Sequence, residues 1–178
     1  RAVRELRGAG AAVAAEAAQG EVCQAANDNG AGQVVVSGNK AAVERAVEIA
    51  KAKGAKRAML LPVSAPFHCA LMQPAADVMA EALAKVSVKP PTVPLVANVL
   101  ARAIEDPAEI VRSLIAQVTG TVRWRESVVY MAGAGVTNFY EVGAGKVLSG
   151  LIRRLAEGAV VTAVGSPEDV AAVTAGRK

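Results

Sequence analysis

The spacing of apolar and polar positions divides the chain into short, alternating helices and strands. Alanine-rich Gly10 to Gln19, interrupted by Glu16, reads as a helix, and Glu21 to Ala26 reads as a strand. The turn formers Asn27-Asp28-Asn29-Gly30-Ala31-Gly32 separate it from a second strand, Gln33 to Ser37, centred on Val34, Val35 and Val36, so the two form a hairpin. Ser37 or Asn39 can cap the next helix, whose apolar residues Val43, Ala46, Val47 and Ala50 recur at i, i+3, i+4 and i+7 until Gly54 stops it. Arg57 to Val63 is a strand ended by Pro62 and Pro66. Leu71, Ala75, Met79, Leu83 and Val86 mark a second amphipathic helix, with Pro74 tolerated in its first turn.

Beyond the loop marked by Pro90, Pro91 and Pro94, a strand covers Leu95 to Val99. Asp106 caps a helix opened by Pro107 that passes through Ile110, Leu114 and Gln117, and another helix runs from Trp124 to Ala132 before a run of glycines. Thr137 to Val142 is a strand, Gly143 to Gly145 a tight turn, Lys146 to Leu155 a helix, Val160 to Val164 a strand, and Pro167 to Val173 a last helix. The fold class is therefore α/β, with a parallel layer in the second part. The first part, in the order helix, strand, strand, helix, strand, is a ferredoxin-like small lobe whose first strand is missing, since residues 1 to 9 do not look like a strand. The expected division is a small lobe at 10–65, a larger lobe at 66–165 and a tail at 166–178.

Composition sharpens this picture. Hydrophobic residues make up 53% of the 178, enough for a core, but aromatics are only 3%, which favours helices packed through small side chains over an aromatic-rich sandwich. The net charge of +4 is spread among alternating acids and bases such as Glu44, Arg45, Glu48 and Lys51, the pattern of a solvated helix face, so no nucleic acid is implied. Two cysteines, Cys23 and Cys69, are too few for a disulfide scaffold and lack zinc-ligand spacing; no metal or bound cofactor is expected. No apolar run approaches a membrane span, and a cytoplasmic location with no membrane partner is the expectation.

Candidate chemistry centres on His68, the one histidine, in the loop Val63-Ser64-Ala65-Pro66-Phe67-His68 where a strand gives way to a helix. Strand exits in α/β layers gather functional sites, and imidazole suits proton transfer near neutral pH, although a surface or satisfied core histidine fits the sequence equally well. Cys69 adjoins His68, but consecutive residues rarely face one another. A serine elbow would read G-x-S-x-G, and this sequence contains none, so the chain is not expected to perform elbow-type acyl transfer alone. Glu141-Val142-Gly143-Ala144-Gly145-Lys146 looks superficially like a phosphate cradle, yet its glycine spacing and Val147 fail that pattern; a packing turn is the plainer reading.

Three stretches carry a resemblance: Asn27 to Gly38 (NDNGAGQVVVSG), Leu61 to Met72 (LPVSAPFHCALM) and Tyr140 to Leu151 (YEVGAGKVLSGL), with Val122-Arg123-Trp124, Ser127-Val128 and Tyr130-Met131 agreeing as well. In this order, over about Ala11 to Leu155, they resemble the carboxyl-terminal portion of the malonyl-CoA:acyl-carrier-protein transacylase family. Ala31 and Ala144 stand where proline is commoner in that family.

The resemblance implies an acyltransferase moving a malonyl group from coenzyme A, its thioester substrate, to the phosphopantetheine thiol of acyl carrier protein in fatty-acid synthesis, through a malonyl-serine. It implies that His68 is the base, that Gln117 positions the imidazole through its backbone carbonyl, and that Phe67, before the histidine, crowds the acyl α-carbon. Asn29 falls on a polar wall near the cleft, although a turn role in left-handed geometry explains it equally well. The larger lobe would be part of an α/β-hydrolase-like acyltransferase domain. The serine elbow, the oxyanion loop and the arginine that pairs with malonate belong to an amino-terminal half not found here, which becomes an implied partner alongside malonyl-CoA and the carrier protein. The alternative is a noncatalytic module presenting a surface to a carrier protein or another acidic partner.

Overall fold

The computed structural model describes residues 2–4 by their backbone and residues 10–175 in full. It divides into two compact units, residues 1–127 and 128–178. The first unit is built on a four-stranded antiparallel sheet of β1 (Ala2–Arg4), β2 (Cys23–Gly30), β3 (Gln33–Gly38) and β4 (Met59–Leu61), in the spatial order β2-β3-β1-β4. A first strand is therefore present, contrary to the sequence expectation. β1 fills the place between β3 and β4 that the pattern left empty, pairing Val3 with Val36 on one side and with Leu60 on the other. Three residues, one of them an arginine, carry too little alternation to announce a strand; pairing on both edges is what makes them one.

Two helices, α1 (Gly10–Ala18) and α2 (Lys40–Ala52), pack on one face of this sheet. Their buried residues Val13, Ala14, Ala17, Ala42, Val43, Ala46, Val47 and Ala50 form one core cluster with Cys23 and Val36. Each buried valine contributes about 1.5–3 kcal/mol, and the alanines allow close approach at small cost in side-chain entropy. The packing is tight enough at Gly10 that a Cβ there would lie 2.3 Å from Val34 Cγ1. Asn39 occupies the cap position of α2, but its side chain does not cap the helix. Its Oδ1 accepts from the Val22 N–H at 2.9 Å while its own N–H donates to the Val22 carbonyl at 2.8 Å, so the residue clips β2 to the helix start.

The hairpin also differs from expectation. β2 does not stop at Ala26 but continues through the turn formers to Gly30, leaving the two-residue turn Ala31-Gly32. The extension is possible because the ladder slips twice: Ala25 pairs with Val36 and Asn27 with Val35, then Asp28 with Val34 and Gly30 with Gln33. Ala26 and Asn29 are the surplus residues of two β-bulges. Ala31 and Gly32, with φ of 51° and 81°, have the positive dihedrals of the mirror-image hairpin turn.

After β4 and a single 3-10 turn (Ala70–Met72), the first unit continues with α3 (Gln73–Leu83), the antiparallel pair β5 (Leu95–Ala97) and β6 (Arg102–Ile104), and α4 (Pro107–Thr119). β6 was not legible, because Ala101, at φ 55°, turns the chain within four residues without a Gly-Asn signal. α4 begins as its sequence predicts, with the Asp106 carboxylate accepting from Ala108 N–H at 3.3 Å and Glu109 N–H at 2.9 Å. α5 (Trp124–Gly133) leads into the second unit, where β7 (Asn138–Val142) and β8 (Val160–Val164) pair in parallel across α6 (Val147–Leu155), followed by α7 (Pro167–Ala175). No helix among the described residues is long and apolar enough to cross a membrane.

Candidate active site

The face of the first sheet away from α1 and α2 opens on a cavity of about 330 Å³. Strand pleating sorts the side chains: Val34 and Val36 turn to the helices, whereas Val35 and Ser37 line the cavity. Both surplus residues of β2, Ala26 and Asn29, line it too, with Asn27 and Gln33 beside them. The opposite wall is the loop after β4, contributing Val63, Ala65, Phe67 and His68.

That loop is held in a fixed form by three contacts. The Cys69 thiol donates to the Pro66 carbonyl at 3.1 Å and is fully buried. The Ala70 N–H donates to Gln24 Oε1 on β2 at 2.7 Å. The imidazole of His68 meets the Gln117 carbonyl oxygen through Nδ1 at 2.9 Å. These restraints keep His68 at φ 58°, a left-handed conformation that costs a residue with a Cβ roughly 1–2 kcal/mol. A non-glycine residue there signals that surrounding contacts override its local preference.

The contact with Gln117 fixes the tautomer. A carbonyl oxygen can only accept, so Nδ1 carries the proton and Nε2 keeps its lone pair. Among the described residues Nε2 has no hydrogen-bond partner. The Gln117 carbonyl is one of the last four of α4, groups with no partner inside the helix, and the histidine satisfies it. The carbonyl end of a helix also has the polarity that suits a ring acquiring a proton.

Of the four residues singled out from sequence, His68, Phe67 and Asn29 line one cavity and Gln117 supports the histidine from behind. Phe67 is 47% exposed, so its ring is available at the cavity mouth rather than spent on core packing. Asn29 is not in left-handed geometry, and the turn explanation for it is excluded. The Cys69–His68 pairing is excluded as well, since the thiol is turned onto Pro66. The other cysteine, Cys23, is buried, and burial pushes its thiol up from the ordinary value against the weaker pull of Arg45. Neither thiol has the electropositive, accessible setting of a nucleophile.

Sequence reasoning missed Gln24 and Ser37. Gln24 carries no local signal, because its partner lies 46 residues away. Ser37 did have one: a hydroxyl residue two positions beyond Val35, on the face of the strand that does not join the helices.

The turn at Glu141–Lys146 in the second unit is not a phosphate cradle. The Glu141 carboxylate already fills the start of α6, accepting from Leu148 N–H at 3.0 Å, Ser149 N–H at 2.7 Å and the Ser149 hydroxyl at 2.6 Å. The Ser149 hydroxyl, followed by the backbone N–H groups, holds this carboxyl below the usual range for glutamate. An anion arriving there would meet a resident one. Among the described residues no cluster of histidine, cysteine and acidic groups could hold a metal ion.

No protein-family model matches the chain. It is 49% identical over 157 residues to the malonyl CoA-acyl carrier protein transacylase of Escherichia coli K12, a match covering 88% of this chain and 51% of that protein. An acyl-carrier-protein-S-malonyltransferase structure from Bartonella henselae superimposes with a TM-score of 0.91 at 47% identity, over 98% of this chain and 56% of that one. A malonyl-transacylase solved in complex with a type II PKS acyl-carrier protein gives 0.92 at 37%, over 98% and 57%. The chain spans about half the length of the relatives it matches.

Proposed function

We infer that this chain, which matches the carboxyl-terminal half of the malonyl-CoA:acyl-carrier-protein transacylases, supplies the base and one wall of the site in a malonyl transfer from coenzyme A to acyl carrier protein in fatty-acid synthesis. The observation that carries this reading is the His68 imidazole, fixed through Nδ1 at the rim of an open cavity with Nε2 left to act.

In the first half-reaction a serine hydroxyl from outside this sequence attacks the thioester carbonyl, and Nε2 of His68 takes its proton. The tetrahedral intermediate collapses, the C–S bond breaks, and the coenzyme A sulfur leaves with the proton held by the imidazolium. The malonyl-serine ester remains. In the second half-reaction the phosphopantetheine thiol of the carrier protein gives its proton to Nε2 and attacks the ester. The serine oxygen leaves and recovers the proton. Gln117 positions the ring throughout by keeping the proton on Nδ1, the role a buried acid plays toward histidine in serine hydrolases. Phe67 crowds the acyl α-carbon and favours an unbranched malonyl group, and Asn29 adds a polar contact on the opposite wall.

The same reading makes residues 10–65 a ferredoxin-like small lobe, completed by β1, whose order of strand, helix, two strands, helix and strand supports it. Residues 66–165 would belong to an α/β-hydrolase-like acyltransferase lobe and 166–178 to its tail, in a cytoplasmic enzyme that uses coenzyme A thioesters and no bound cofactor.

The test is malonyl transfer in a complete enzyme containing this sequence. His68→Ala should lower kcat about 10²- to 10⁴-fold, and the isolated chain should show no turnover. A His68→Ala enzyme that keeps most of its turnover would remove His68 from the chemistry and favour a binding module instead.

A further inference from the structure

His68 and Gln117 stand 49 positions apart in the chain, yet a ring nitrogen of one and the carbonyl oxygen of the other are held at 2.9 Å. Something must fix the loop that carries the ring relative to the helix end that carries the carbonyl. β2 touches both. It is the edge strand of its sheet, with β3 on one side only, so its outer backbone groups are open to other partners.

On the ring side, the 3-10 turn Ala70–Met72 has Cys69 at its cap position, and the side chain there makes no capping bond. The first N–H of such a turn has no partner within it, and Gln24 Oε1 supplies one by accepting from Ala70 at 2.7 Å. On the carbonyl side, the chain leaves α4 through Gly120, where a Cβ would fall 2.8 Å from the Ala116 carbonyl oxygen and 2.9 Å from Val99 Cγ2, so the exit is tightly packed. The next two residues run along the outer edge of β2. The Thr121 hydroxyl donates to the Ala25 carbonyl at 2.6 Å, the Val122 N–H donates to the Ala26 carbonyl at 2.8 Å, and the Asp28 N–H donates to the Val122 carbonyl at 2.9 Å. Gln24 and Ala25 are consecutive, so the strut to the histidine loop and the tie to the end of α4 leave one strand at one point. Neither Gln24 nor Thr121 is among the described residues that line the cavity.

We propose that Gln24 and Thr121 are positioning residues for His68 that work as a pair, with β2 as the common anchor that keeps the imidazole and the carbonyl it meets within hydrogen-bonding distance. The effect on turnover rests on the acyltransferase reading above, whereas the tautomer of the ring records the positioning itself. Gln24 serves only as an acceptor, so a glutamate can replace it; Thr121 serves as a hydroxyl donor, so a serine can.

In a complete enzyme containing this sequence, Gln24→Leu and Thr121→Val should each lower kcat about fivefold, the weight of one hydrogen bond, with KM for malonyl-CoA changed by less than about twofold. Gln24→Glu and Thr121→Ser should recover kcat to within about twofold of the parent. Gln24→Leu combined with Thr121→Val should lose well under the roughly 25-fold product of the two, because freeing either side already loosens the pairing of ring and carbonyl. ¹⁵N spectra of the single histidine in this chain should show a smaller Nδ1–H fraction in each disruptive variant and its return in each conservative one. A purely structural role would lower the urea midpoint without moving the tautomer ratio. The proposal is overturned if the ratio in Thr121→Val matches the parent, if Gln24→Glu behaves as Gln24→Leu does, or if the combined loss reaches the product. Turnover that survives His68→Ala would bring down the acyltransferase reading instead, and the tautomer ratios would still decide this proposal.

Discussion

The geometry behind His68 makes an unusual demand on mutagenesis at position 117. The orienting atom is the backbone carbonyl of Gln117, 2.9 Å from Nδ1, so Gln117→Ala removes the side chain and leaves the hydrogen bond. A hydrogen bond of this kind contributes about 1 kcal/mol net, roughly a fivefold bias toward the Nδ1–H tautomer. ¹⁵N shifts of the single histidine, read at alkaline pH where the ring is neutral, report that ratio directly. The parent and Gln117→Ala should agree within about twofold, and alanine should cost the helix nothing. Gln24→Leu is the informative contrast. It removes the acceptor of the Ala70 N–H, freeing the loop two residues beyond the histidine, and the bias should shrink toward that of an unrestrained ring. A majority of Nε2–H in the parent, or loss of the bias in Gln117→Ala with retention in Gln24→Leu, would refute this account of how the imidazole is held.

Gly38→Ala would place a Cβ 2.0 Å from the Val22 carbonyl oxygen, forcing β2 away from the Asn39 clip; a loss of roughly 3 kcal/mol is expected in urea denaturation, and a change below 1 kcal/mol would show the contact to be slack. Ala31→Asn puts a residue suited to positive φ in the hairpin turn and should stabilise the chain by about 1 kcal/mol by the same measurement. The Glu141 carboxyl is held below its ordinary value in the folded state, chiefly by the Ser149 hydroxyl. Its contribution is therefore present above the unfolded-state value and lost as pH falls through the lower folded one. Urea midpoints followed from neutral pH into that acid window should fall less steeply for Glu141→Gln than for the parent.

Much of this architecture could be read from the residues because local pattern and tertiary role agree there. The α2 stripe of Val43, Ala46, Val47 and Ala50 is buried as its spacing requires, and Asp106 caps α4 with the carboxylate geometry its position suggests. The misreadings lie where long-range pairing overrides local preference. β1 is a strand through neighbours supplied more than thirty residues later, and Asn27 to Gly30 extend β2 because two bulges accommodate turn formers within a ladder. The site divides the same way. His68 could be picked out as the one imidazole at a strand exit, but its tie to Gln117 joins residues 49 positions apart, and only the resemblance to a known family pointed to it beforehand.

The two surplus residues of β2 have a wider meaning for how such a pocket diversifies. Ala26 and Asn29 answer to no partner across the ladder, so their side chains are exempt from the cross-strand fit that constrains every neighbour. Selection for a different ligand could rewrite these positions while the register on either side stays intact. The irregularity thus gives the scaffold a place to vary that the regular strand would deny it.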